Sequence, residues 1–297
     1  MYKGRVADLL RIASEGTGVL PAGQLHPDLV DRLAEEAAGS AQHVLDMCIR
    51  ALDYCPPVDI TFGDYLRAIV TADFEFDPVD DQHNRVAFAE AFRRYGIVPD
   101  KVRTLSVDGL LWRPAADAPD EDENVVIGLV KNWAADIGSW NLSRSRQALF
   151  ELMRAKRAEL HKYLEGKLDL DSAVLSGIDP KLKFEVHSIR PSMRVDWNEQ
   201  FRLQWVIELT QRIPQYVDEA ASHDGATPDY YFRGGCTLLV DAETGKVRYS
   251  IKKPLDEERQ KRLRRYLLEE GNESLAATYF GDAMTEGSEP FAMLHRF

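Results

Sequence analysis

The sequence predicts an α+β protein: an N-terminal helical bundle lobe followed by an α+β domain with an antiparallel β-sheet. Three observations predict it. Apolar residues recur at helical spacing through the first hundred positions. Beyond residue 200 they alternate one by one with polar residues, over 201–210 and again over 246–252. Between the two regimes lies an acidic, proline-containing stretch at 114–124 that reads as a linker. The expected layout is a helical lobe over 1–113, the linker 114–124, and an α+β domain with an antiparallel sheet over 125–297.

The elements follow in order. Tyr2, Val6, Leu9, Leu10 and Ala13 form one helical stripe with no Ser, Thr, Asp or Asn before it, an uncapped start expected of the tail of a longer helix. A second helix is predicted over 27–53, with Leu29, Leu33, Ala37, Val44, Met47, Cys48 and Ala51 at core spacing. Pro27 suits its first turn, and Pro56-Pro57 bar its continuation. A third helix over 61–72 turns Phe62, Tyr65, Leu66 and Ile69 inward, capped by Thr61 or Asp59. A polar loop over 77–84 leads to a fourth helix over 85–95, which Gly96 ends. After the linker an amphipathic helix is predicted over 143–165, stopped by Gly166.

The strand signals come next. Phe201, Leu203, Trp205, Ile207 and Leu209 alternate with Arg202, Gln204, Glu208 and Thr210, a pattern of one buried and one wet face. Residues 237–240 and 247–251 flank the turn 241–245 as a hairpin. A last helix over 255–270 is expected to cover the sheet.

Bulk composition narrows the class. The 297 residues suffice for two domains, and 44% hydrophobic with 29% charged is ordinary globular composition. No apolar run approaches the roughly 20 residues of a membrane helix, and the N-terminus shows no apolar signal core. The net charge of −12 repels phosphate, so neither nucleic acid nor membrane is expected as a partner. Cys48, Cys55 and Cys236 are too few for a disulfide framework and fit a reducing, cytoplasmic setting.

Motifs that carry chemistry are sparse. A peptidase zinc helix needs two histidines four residues apart with a glutamate beside the first. His26, His43, His83, His161, His187, His223 and His295 all lie more than nine residues from one another. Asp77, Asp80, Asp81 and His83 share a loop where a hard cation or acid–base chemistry is conceivable, but the calcium-loop spacing is absent and a solvated loop is the ordinary reading. Cys48 and Cys55 are too far apart for a redox pair and read as buried thiols. Cys236 follows Arg233-Gly234-Gly235 at an expected strand start, where the glycines allow a bulge or a close backbone contact. Lys252, Lys253, Arg259, Lys261, Arg262, Arg264 and Arg265 are basic but interleaved with Asp256, Glu257 and Glu258, a solvated helix face rather than a nucleic-acid patch. No catalytic residue and no metal ligand is assigned.

One stretch carries a resemblance. Phe62-Gly63-Asp64-Tyr65-Leu66-Arg67-Ala68, then Ala72-Asp73, a polar loop, Val86, and Ala91-Phe92-Arg93-Arg94-Tyr95-Gly96-Ile97 resemble the last two helices of the C-terminal lobe of thermolysin-like zinc peptidases, the gluzincins. Ala51-Leu52-Asp53-Tyr54-Cys55-Pro56-Pro57 and Phe232-Arg233-Gly234-Gly235-Cys236-Thr237 are similar to segments of large bacterial gluzincin-like proteins. The match covers about a third of the chain. In that family the zinc helix and the catalytic histidine precede these helices and have no counterpart here, so the resemblance carries no catalytic residue over. It implies the non-catalytic C-terminal portion of a gluzincin-like metallopeptidase, with zinc held only by an upstream lobe and not by this chain. The alternatives are a stand-alone interaction module acting through the β-rich domain, and a hydrolase using Cys236 or a carboxylate pair.

Overall fold

The computed structural model describes residues 2–20, 22–23, 25–115, 133, 146–165, 177–195, 200–216 and 228–269. The chain divides into two compact units, the first made of residues 1–55, 60–113 and 192–203, the second of 56–59, 114–191 and 204–297. Helices fill the first and a four-stranded antiparallel sheet centres the second, so the fold is α+β. Most of the expected linker 114–124, Gly166, His223 and His295 lie outside the described residues.

In the helical unit, α1 (Tyr2–Arg5) and α2 (Ala7–Ala13) break at Val6. The long α3 (Pro27–Ala51) has proline in its first turn and His26 accepting from the Asp28 backbone. A 3-10 turn (Leu52–Tyr54) carries it towards Pro56. α4 (Phe62–Phe76) starts in a capping box: Thr61 Oγ1 accepts from Asp64 N, and Asp64 answers at Thr61 N. It runs one turn further than the spacing predicts. Leu66 and Ile69 are buried as expected, whereas Phe62 is 71% exposed because it sits ahead of the first complete turn.

α5 (Asn84–Arg94) ends where Gly96 takes φ 72°, with Ile97 N donating to Phe92 O and Gly96 N to Arg93 O. A short helix that the sequence did not announce, α6 (Val107–Leu110), is capped by Ser106. Arg67 fixes it by donating to the Leu110 and Leu111 carbonyls while stacking 3.7 Å over the Trp112 ring. Leu66, Val70, Ala89 and Leu110 form one core cluster of this unit, with Phe88 and Phe92 packed against it.

Further along the chain, α7 (Arg146–Glu165) precedes β1 (Phe184–Val195), β2 (Phe201–Gln215), β3 (Tyr230–Asp241) and β4 (Val247–Lys253), arranged in that order across the sheet, all within the second unit except residues 192–203. The periodicity did not reveal β1, whose Pro191 is tolerated because the strand lies at an edge. β3 begins well before residue 237, so Cys236 lies mid-strand and not at a strand start.

Directly paired residues share a face. Trp205, Ile207 and Leu209 therefore lie beside Val240, Leu238 and Cys236, while Val206 and Glu208 lie beside Leu239 and Thr237. Val206, Leu239 and Thr237 are buried along with the first set, so the centre of the sheet is covered on both sides and the expected wet face is not there. Val206 is the residue that breaks the polar half of the alternation. Glu208 remains on that face because Arg190 and Ser188 of β1 each donate to it at 2.8 Å.

The hairpin turn is closed by Asp241 Oδ1, which accepts from Glu243 N and Thr244 N, with Gly245 at φ 74°. α8 (Glu257–Leu268) is capped by Asp256 and lays Arg259 over the Phe232 ring, but none of its residues is buried, so it touches the sheet there rather than covering it.

Candidate functional site

The acidic loop is the first place to look; two of its three carboxylates, Asp77 and Asp80, are occupied in structural bonds, and Asp81 is exposed. Asp77 Oδ1 accepts from Val79 N and Asp80 N. Asp80 is buried and takes Asn84 N at 2.7 Å and Arg85 N at 3.1 Å, serving as the acceptor for the first turn of α5. The loop reaches that geometry through left-handed backbone at Asp80 and His83 (φ 54° at each). The loop is largely exposed, as its composition suggests, with Asp80 alone buried in it.

Behind the loop lies a buried charge cluster. Asp73, 1% exposed, projects from the inward face of α4 and meets Arg85 Nη1 at 2.9 Å. The same guanidinium donates to the Asp77 and Pro78 carbonyls, and Asp80 stands 3.6 Å from its Nε. His43 of α3 completes the group, with Nε2 3.0 Å from Asn84 Nδ2 and 3.7 Å from Asp73 Oδ1. Burial pushes the Asp73 carboxyl above its ordinary range, opposed first by Arg85 and then by His43. Sequence reasoning missed this cluster, yet a signal existed: Asp73 continues the stripe Leu66, Ile69, Val70 at helical spacing, and a charge on an inward stripe demands a partner.

A second polar group lies at the end of α3. Arg194 donates to Asp53 and to the Arg50 carbonyl and lies over the Tyr54 ring, and Ser192 Oγ donates to Asp53 at 2.9 Å. Arg50 stacks 3.8 Å over Phe76. These contacts lie within the first unit, to which 192–194 belong, and engage both ions of the Asp53–Arg194 pair.

The remaining expectations resolve individually. Cys236 is fully buried, and burial pushes its thiol up to about 12, the opposite of an activated nucleophile. The preceding glycines serve close approach: a Cβ on Gly235 would stand 2.1 Å from the Leu209 carbonyl oxygen, and one on Gly234 would stand 2.9 Å from Leu255. Cys55 is buried and donates to Ala51 O, while Cys48 is half-buried. In the basic stretch Arg259 turns inward and Lys261 pairs with Glu257 and Glu258. His161 stacks on Phe184 and lies 3.1 Å from its carbonyl oxygen. Among the described residues no three His, Cys, Asp or Glu side chains converge as a metal site would require, and no helix is long and apolar enough to cross a membrane.

Among the described residues, α3 carries an exposed apolar surface. α3 buries Ser40, Met47 and Ala51 on one side, but Val30, Leu45, Ile49 and Leu52 are each 45–59% exposed on another. Ala34, Ala37, Ala38 and Ala41 are exposed beside them. Ala37 and Cys48, expected in the core, belong to this outward stripe, because α3 carries two apolar stripes and spacing alone does not say which is buried.

No family model, no curated protein and no solved structure matches this chain.

Proposed function

We propose that this chain is the non-catalytic C-terminal portion of a gluzincin-like zinc metallopeptidase, contributing one wall of a peptide cleft to a zinc-bearing lobe held by an upstream polypeptide. The observation that carries the reading is the α4–α5 pair. The residues that resemble the gluzincin lobe fall on two helices whose Leu66, Val70 and Ala89 share one core, and the chain leaves α5 through a left-handed Gly96. In that family such helices pack the lobe, while the zinc, when bound, activates the water that attacks the scissile carbonyl.

The residues of this chain supply packing and shape to the wall, and no zinc ligand is assigned to it. A protein partner, the upstream lobe, follows from the reading; nucleic acid and membrane do not. A cytoplasmic setting goes with three cysteines present as thiols. A second reading is an interaction module acting through the β-rich domain, with the antiparallel sheet as its scaffold.

Zinc content and peptidase activity of the purified 297-residue chain test the proposal. The expected result is no stoichiometric zinc and no peptide hydrolysis. Tight zinc at one equivalent together with peptidase activity overturns it.

A further inference from the structure

The outward face of α3 has a symmetry that the lobe reading does not use. Along its centre line stand Val30, Ala34, Ala37, Ala41, Leu45, Cys48 and Leu52, the last in the 3-10 turn that continues the helix. Their spacings are four, three, four, four, three and four residues, a series that reads the same from either end about Ala41. At about 100° per residue, all of them fall within a sector of about 80°. No charged side chain of α3 lies in that sector. The sector is turned about 100° round the helix from the buried Met47 and Ala51.

We propose that this face is covered by a second copy of the chain, with the two α3 helices antiparallel across a dyad at Ala41. In that register Val30 lies opposite Leu52 of the second copy, Ala34 opposite Cys48, Ala37 opposite Leu45, and Ala41 opposite Ala41. The small half of each helix receives the large half of the other, which is the self-complementarity that a two-fold interface requires. Alanine at the crossing lets the axes approach to about 8 Å. The stripe extends about 34 Å along the helix, enough for a paired contact of roughly 1,200 Å², where specific interfaces begin.

Charge opposes this arrangement slightly. Asp31, Glu35 and Asp46 flank one side of the stripe, and Glu35 comes beside Asp46 of the second copy. Exposed like charges of this kind are a small effect beside the burial of Val30, Leu45, Ile49 and Leu52 on both helices. They do fix a sign: salt must strengthen the dimer, whereas a foreign helix with a basic flank would be weakened by it.

Sedimentation equilibrium of the whole chain between about 1 and 100 µM, a range set by interfaces of this size, tests the proposal. A monomer–dimer equilibrium that tightens with salt is expected. Ala41→Glu, at an exposed position where helical content by circular dichroism should be unchanged, weakens it about 100-fold by bringing two carboxylates together at the dyad. Glu35→Gln tightens it and reduces the salt dependence, a gain that misfolding cannot mimic. Ala41→Cys gives an oxidant-dependent cross-linked dimer beyond that of the parent chain. A chain that stays monomeric at the upper concentration, or a dimer indifferent to Ala41→Glu, overturns the proposal and leaves the face to another polypeptide. Neither result bears on the zinc measurement that tests the lobe reading.

Discussion

Arg85 and Asp73 are both almost wholly buried, so neither can be removed without stranding the other in a medium that cannot solvate it. Arg85→Ala should therefore cost about 3 kcal/mol of stability, read as a lower denaturant midpoint with unchanged slope. The pH dependence follows from the raised Asp73 carboxyl. Because the folded protein holds this proton at higher pH than the unfolded chain does, the group's contribution is greatest in acid and is lost as pH rises through the folded value. Losing Arg85 raises that value further, so the deficit of the variant should be largest near neutrality and shrink on acidification. A deficit constant from pH 7 to the acid side contradicts the assigned pair. At Cys236 the expected outcome is chemical silence: with the thiol buried and pushed up to about 12, it should react with a disulfide reagent only at the rate of unfolding, while the half-buried Cys48 reacts in the folded state. Rapid native-state labelling of all three thiols contradicts that burial.

Caps and glycines decide the elements. Thr61→Ala removes one half of the α4 capping box and should lower stability by about 1 kcal/mol. Gly96→Ala forces a side chain into left-handed backbone and should cost a similar amount, about 1 kcal/mol. Gly235→Ala is expected to cost more, about 2 kcal/mol, because its Cβ would press on the Leu209 carbonyl in the middle of the β2–β3 ladder. Thermal unfolding of the three variants checks this order. The same elements show what spacing can convey. α4 and α5 were legible because Thr61, Pro57 and Gly96 punctuate them locally. β1 was not, since Pro191 and the scattered charges of 184–195 mask its alternation, and only pairing with β2 makes it a strand. On α3 two apolar stripes compete, and the neighbours that choose between them are remote in sequence.

At the scale of the whole molecule, the α+β class was readable from the change of period near residue 200, because each period is a local property of the backbone. The covering of both faces of the sheet was not, since it depends on which distant residues lie over Val206 and Leu239. The buried cluster of His43, Asp73 and Arg85 joins three helices, and no short motif encodes such a meeting. What unites these scales is a chain whose buried and half-buried charges hold helices and strands in place, beside the helical pair on which the proposed packing role in a zinc peptidase rests. The most direct test of that account is the coding DNA immediately upstream of the first codon. The account predicts a frame, continuous or shifted, that encodes His-Glu-x-x-His on a helical pattern followed by a further glutamate ligand; an upstream sequence with no such zinc-binding segment contradicts it.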